Sequence, residues 1–290
     1  MLKWKIGDVS ITQILEWSSD KELGGLIPAA THAAILPIGW LRPDFANDAG
    51  ALRFNLQAFL LETPELRIIV DTCIGNDKDR PIAPFWHKMQ TSFLQHLTAA
   101  GCARETIDLV LCTHLHLDHV GWNTMLDGDR WIPTFPNARY LFGRVEYEHF
   151  RSDDSHKTPA MRALDATVLA DSIAPIFEAG LVDLVEVNHV VSSEIKLVPT
   201  IGHTPGHVSV QISSRGEAAL ITGDFAHHPC QLAHPDWYSV ADLDPGQSSN
   251  TRHAMFSDLA GKPVLVIGSH WSGPVAGRIV RDGGAFRLVY

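Results

Sequence analysis

Seven consecutive residues, Thr113-His114-Leu115-His116-Leu117-Asp118-His119, place three imidazoles and a carboxylate directly after the apolar stretch Ile107-Asp108-Leu109-Val110-Leu111-Cys112. In an extended segment alternate side chains point the same way, so His114 and His116 can grip one ion. Asp118 and His119, past the bend, can face another. The apolar stretch reads as a buried strand, so the histidines fall at its C-terminal end, where layered α/β proteins carry their active-site loops. The alternatives are surface histidines gathered by chance and a single structural zinc site. Structural zinc usually recruits cysteine pairs, and Cys73, Cys102, Cys112 and Cys230 have no paired spacing.

Three more segments end an apolar strand on a metal-binding residue type. Ile195–Pro199 leads to Gly202-His203-Thr204-Pro205-Gly206-His207, Ala219–Thr222 leads to Gly223-Asp224, and Val264–Ile267 leads to Gly268-Ser269-His270. The repetition argues for one shared site.

Composition narrows the substrate. A net charge of −10 with 23 Lys and Arg supplies no cation cluster for a nucleic-acid backbone, so a neutral or weakly charged small molecule fits better. With 290 residues, 45% of them hydrophobic, the chain can build a large core, and a single domain is expected. No apolar run is long enough to span a bilayer and the start alternates, so a soluble, cytoplasmic protein without a membrane partner is expected.

Trp4–Glu16 reads as a hairpin turning at Gly7-Asp8, and residues 18–48 as a Gly/Pro-punctuated loop with short helices. The apolar residues of that stretch, among them Leu26, Ile27, Ile35 and Trp40, are expected to cover the site mouth, a homodimer partner or the chain's own core. Strands follow at Asn55–Leu61, Leu66–Val70, Ile107–Cys112, Arg139–Phe142, Leu184–Val187, Ile195–Pro199, His207–Ile212, Ala218–Thr222 and Val264–Ile267. A hairpin over Gly277–Tyr290 closes the chain. Helices are expected over Pro84–Ala100, Arg144–Phe150, Pro159–Phe177 and Thr251–Leu259.

The loop and the three later segments together resemble the metallo-β-lactamase superfamily, over roughly residues 50 to 275. The resemblance implies an α/β fold, an αββα sandwich of two packed mixed sheets with helices on the outer faces, formed by residues 1–290 as one hydrolase domain with 18–50 as an extension. It implies that His114, His116 and His203 bind a first metal, Asp118, His119 and His270 a second, and that Asp224 bridges them. Two Zn²⁺ suit this nitrogen and carboxylate set, and Fe, Mn or Co can occupy similar sites. His207 competes with His203 for one ligand role, and the first histidine of the pair is the choice by resemblance. Asp71 is either an orienting partner of a ligand histidine or a turn former.

A bridging Asp224 is similar to the acyl-homoserine lactonases and the organophosphate hydrolases, not to the true β-lactamases. The implied activity is a dinuclear lactonase or carboxylic esterase using a metal-bridging hydroxide. A phosphotriester hydrolase and a non-catalytic metal-binding protein are the alternatives. Asp118, Asp224 and His227 are the residues expected to take part in the reaction. His227 stands where many such lactonases carry Tyr, and it either donates a proton to substrate oxygen or faces solvent. Phe85, Trp86, Trp122, Phe225 and Trp237 are expected either as an apolar wall for a hydrophobic ester or lactone or as core.

Overall fold

The computed structural model describes residues 1–19, 25–81, 83–152 and 158–290. The chain forms two compact units, one of residues 1–17 and 56–186 and the other of residues 18–55 and 187–290.

The first unit is built on a seven-stranded sheet. Its strands are β1 (Lys3–Ile6), β2 (Val9–Ser19), β3 (Phe54–Glu62), β4 (Arg67–Val70), β5 (Leu109–Leu111), β8 (Arg139–Gly143) and β9 (Val182–Val185), in that spatial order. The expected hairpin is β1–β2, and Gly7 at its turn has φ 55, which a glycine adopts at no steric cost. From β4 onward the pairings β4–β5, β5–β8 and β8–β9 are parallel. Parallel strands need crossovers and are buried on both faces, which accounts for the near-continuous apolar runs of β4 and β5. Phe93, Leu97, Val110, Tyr140, Phe142 and Ile176 belong to the core of this unit.

Parallel pairing also sets the local site. Val70 pairs with Leu111, so Asp71 and the residues just after β5 emerge side by side at the C-terminal edge of the sheet. The Asp71 amide donates to Leu111 O at 2.9 Å.

Two expected helices differ from the sequence reading. Instead of one helix over Pro84–Ala100 there is a 3₁₀ turn at Pro84–Trp86 and an α-helix at Phe93–Ala99. The intervening segment is drawn off by bonds to a distant stretch, Lys88 N to Lys78 O at 2.8 Å and Asp77 N to Met89 O at 3.1 Å, and Lys88 sits at φ 49. Gly101, at φ 91, follows the helix as its expected cap.

The helical region beginning at Pro159 contains a π-turn at Leu169–Ile173 before resuming at Ala174–Glu178. Pro175 has no N–H to offer the carbonyl four residues earlier. That carbonyl, Asp171 O, is taken instead by Lys78 Nζ at 2.8 Å and by the Thr124 hydroxyl. A small hairpin of β6 (Thr124–Asp127) and β7 (Arg130–Pro133) was not anticipated, although Asp127-Gly128 is a turn signal and Gly128 has φ 63.

The second unit is built on a six-stranded sheet in the order β10 (Ile195–Pro199), β11 (Val208–Ser214), β12 (Glu217–Ile221), β13 (Val264–Ile267), β14 (Ala276–Asp282) and β15 (Ala285–Val289). All its pairings are antiparallel except β12–β13, which is parallel with Ile221 opposite Ile267. Asp224 and His270 each lie three residues beyond that matched pair, so the register alone makes them neighbours.

The described residues of 18–55 pack into this unit. Ile27, Ile35, Leu41, Phe45 and Leu52 belong to the same core as Phe225, Phe256, Val266 and Trp271. Residues 20–24 of the expected loop lie outside the described residues. The helix expected from Thr251 begins earlier, at Pro245, where Asp244 caps it by accepting from Gln247 N at 2.9 Å.

Candidate metal centre

In the first unit the loop Thr113–His119 hangs on Asp71. One Asp71 oxygen lies 2.9 Å from His119 Nδ1, and the other accepts from the Thr113 backbone N–H at 2.8 Å. The Thr113 hydroxyl bonds Asp71 at 3.0 Å and lies 3.1 Å from His114 Nδ1. A carboxylate behind one ring nitrogen fixes the tautomer and turns the other nitrogen outward as a ligand. Asp71 therefore has the orienting role, and its backbone at φ 57 shows that it turns the chain as well. His114 Nε2 and His116 Nδ1 face each other at 3.1 Å, and Asp118 Oδ2 lies 3.8 Å from His119 Nε2.

The far side of the loop is locked by Glu16. Its buried carboxylate accepts from Ile74 N at 2.8 Å, Gly75 N at 3.1 Å and Trp122 Nε1 at 2.6 Å. Burial raises the Glu16 pKa against those hydrogen bonds. Gly121 is obligatory because a Cβ there would meet Ile74 O at 1.8 Å. Trp122 is a core residue, 4% exposed and stacked on Phe93 at 5.3 Å, so it forms no substrate wall. Neither does Phe225, fully buried against Phe256. Trp237 is partly buried and stacks on His234 at 4.0 Å, Phe85 is exposed, and Trp86 is half-buried.

In the second unit three imidazoles converge on one buried carboxylate. Asp224 Oδ1 is 3.1 Å from His270 Nε2, and Asp224 Oδ2 is 3.3 Å from His227 Nε2 and 3.5 Å from His203 Nε2. His203, Asp224 and His227 bring their ligand atoms within 4.8 Å of one another. The distal nitrogens of two rings are tied down, His270 Nδ1 at 3.0 Å from Asn55 O and His203 Nδ1 at 2.9 Å from Asp242 Oδ1. His227 is 2% exposed and faces Asp224, not solvent.

The pair His203 and His207 separates cleanly. His207 Nδ1 lies 3.0 Å from Thr200 O and 2.9 Å from Thr200 Oγ1, and its Nε2 accepts from the Asp224 backbone N–H at 2.7 Å. Both nitrogens are spent on holding the loop. Gly223, at φ 58, lets this happen, since a Cβ there would stand 2.6 Å from His207 Nε2.

Asp242 and Arg252 went unnoticed in the sequence. Asp242 lies 39 residues beyond His203, with no local motif to mark it. Burial works to raise the Asp242 pKa, but the His203 hydrogen bond and the nearby charges, Arg252 included, hold it well below the usual carboxylate range. Burial lowers the His203 pKa, opposed by Asp242, which favours the neutral ring that a metal requires.

The residues present fit divalent ions. Both ring nitrogens of His227 are buried without a hydrogen bond. The donors are imidazole and carboxylate, a set suited to zinc and its neighbours. The four cysteines are buried free thiols and contribute nothing to the clusters. Among the described residues no helix is long and apolar enough to cross a membrane.

Residues 53–270 match the sequence model of the metallo-beta-lactamase superfamily. The structure resembles a hydrolase of the beta lactamase superfamily called AbOPH, with TM-score 0.82 and 24% identity over 99% of this chain and 96% of that one. It also resembles AidC, a dizinc quorum-quenching lactonase in complex with a product, with TM-score 0.79 and 21% identity over 99% and 96%. A probable metal-dependent hydrolase from Staphylococcus aureus aligns at TM-score 0.76 and 22% identity over 99% of both chains. At these identities the likeness is one of fold, two mixed sheets with helices. With the family model spanning most of its length and His/Asp clusters at the predicted strand ends, this chain belongs to the metallo-β-lactamase superfamily and has the character of a metal-dependent hydrolase.

Proposed function

We propose that this protein is a dinuclear metal-dependent hydrolase of lactones or related carboxylic esters. The observation that carries the reading is the convergence of His203, His227 and His270 on Asp224, with the distal nitrogens of His203 and His270 braced. In this reading His114, His116 and His203 would hold one ion and Asp118, His119 and His270 the other, with Asp224 as the carboxylate shared between them. Divalent ions bound there supply Lewis-acid polarisation of a carbonyl oxygen and bring the acidity of water to near neutrality.

The chain's own residues do the rest. Asp71 and Asp242 fix the tautomers of His119 and His203. His207 anchors the backbone of Asp224, so that its carboxylate keeps one orientation. His227 has no hydrogen bond at either nitrogen and lies beside Asp224, where it can give a proton to the oxygen that leaves as the ester opens. No serine or cysteine nucleophile is required. AidC, recorded with its product, supports the choice of a lactone among esters.

The test is a comparison of kcat/KM for a panel of N-acyl and simple lactones against an aryl phosphotriester, before and after chelation and after zinc is restored. Lactones are expected to be turned over faster, with activity lost on chelation and regained with zinc. A faster phosphotriester would assign the chain to the organophosphate-hydrolase reading. Full activity in rigorously metal-free protein would overturn the metal-dependent mechanism.

A further inference from the structure

The helix Pro245–Leu259 carries one fully buried cation, Arg252, and all its partners lie in the second unit. Arg252 Nε donates to Pro235 O at 2.7 Å, and Nη1 donates to Ser248 Oγ at 2.7 Å and to Phe225 O at 3.4 Å. The same Nη1 lies 3.3 Å from Asp242 Oδ2. That oxygen also accepts from Ser239 N at 3.1 Å, leaving Asp242 Oδ1 for His203 Nδ1 at 2.9 Å. Phe225 is the residue after Asp224. One guanidinium therefore touches both the brace behind His203 and the chain beside Asp224.

The loop carrying Asp242 is bound to His203 by its backbone as well. Leu243 N donates to His203 O and Asp244 N to Gly202 O, both at 3.0 Å. The ring of His203 is thus held from its carbonyl and from its Nδ1 at once, and its Nε2 is left toward Asp224.

We propose that Asp242 and Arg252 are positioning residues for metal binding, Asp242 holding His203 as the Nδ1–H tautomer and Arg252 holding the Asp242 carboxylate in the rotamer that does so. The inference rests on His203 being a metal ligand, as argued above. Hydrogen-bond chemistry separates this role from simple packing. An asparagine at 242 that keeps its oxygen toward Arg252 and Ser239 turns an NH₂ toward His203 Nδ1. The imidazole proton must then move to Nε2, which removes the ligand lone pair. A fold-only role predicts no such change.

The experiment is zinc binding to the purified full chain, read as equivalents per chain and as affinity in competition with a chromophoric chelator. D242N should weaken one zinc equivalent by roughly 10–100-fold while leaving the other in place. R252M should weaken the same equivalent, and R252K, which keeps the charge, should recover part of the loss. In metal-free wild-type protein, ¹⁵N-histidine NMR should show His203 with its proton on Nδ1, assigned by difference from H203Q. If D242N does not fold, that spectrum decides alone. Equal zinc affinity in wild type and folded D242N, or a His203 proton on Nε2, would overturn the inference. A wild-type chain that binds no zinc would instead sink the metal-centre reading on which it rests.

Discussion

His207 Nε2 accepts a hydrogen bond from the backbone amide of Asp224 at 2.7 Å, so the second histidine of Gly-His-Thr-Pro-Gly-His is a brace, and the first is the one we propose as the ligand. Replacing each by glutamine should separate the roles. H203Q should lose one zinc equivalent by elemental analysis. H207Q, whose amide oxygen can still accept from Asp224 N, should keep both and lose activity by no more than about tenfold, a loss of about 1.4 kcal/mol in transition-state binding. The reverse pattern would exchange the two histidines.

His227→Phe should lower kcat by about 100-fold or more if the imidazole delivers a proton to the departing oxygen. KM and zinc content should change far less, since the phenyl ring fills the same buried space. Unchanged kcat in steady-state kinetics would reduce His227 to a packing residue.

How far the site was readable shows in these residues. The strand-end positions of His114, Asp224 and His270 were legible because parallel registers turn sequence offsets into neighbours, Val70 opposite Leu111 and Ile221 opposite Ile267. Asp71 was visible as a strand-end acid, but only its bond to His119 distinguishes an orienting group from a turn former. Asp242 and Glu16 were invisible, because they reach His203 and Trp122 across 39 and 106 residues, and Arg252 was invisible because no local spacing ties a helix arginine to an acid on the loop before it. The same limit explains the shortened helix at Phe93–Ala99, where remote backbone hydrogen bonds outcompeted an apolar period.

Stability should fall in acid through His228. Its Nε2 lies 2.9 Å from Phe45 O, its Nδ1 accepts from Cys230 N at 3.0 Å, and burial lowers its pKa from 6.5 to about 4. A proton on Nδ1 would displace the Cys230 bond. The unfolded chain therefore takes up the proton first, and stability present above pH ~6.5 is lost as pH falls toward ~4, by on the order of 3 kcal/mol. Urea unfolding across that range should show a shallower pH slope in H228Q, whose amide can make both bonds without titrating. Equal slopes would contradict this account.

Asp171 pairs with two buried basic groups, Arg80 through bonds of 2.7 and 2.9 Å and Lys78 at 3.7 Å. Burial brings the Lys78 pKa down to about 7 against the pull of Asp171, and its ammonium sits 3.6 Å from the centre of the Trp131 ring. Removing the carboxylate leaves a guanidinium stranded in the core. D171N should cost about 3–5 kcal/mol in denaturant unfolding. A loss under 1 kcal/mol would show that the cluster relaxes or takes in water.

The most direct measurement is anomalous diffraction at the zinc edge from crystals of zinc-loaded protein. Two peaks about 3.5–4 Å apart, with Asp224 between them and His203 and His270 on different ions, are the predicted result. No peak at Asp224, or a single peak there, would contradict the dinuclear centre.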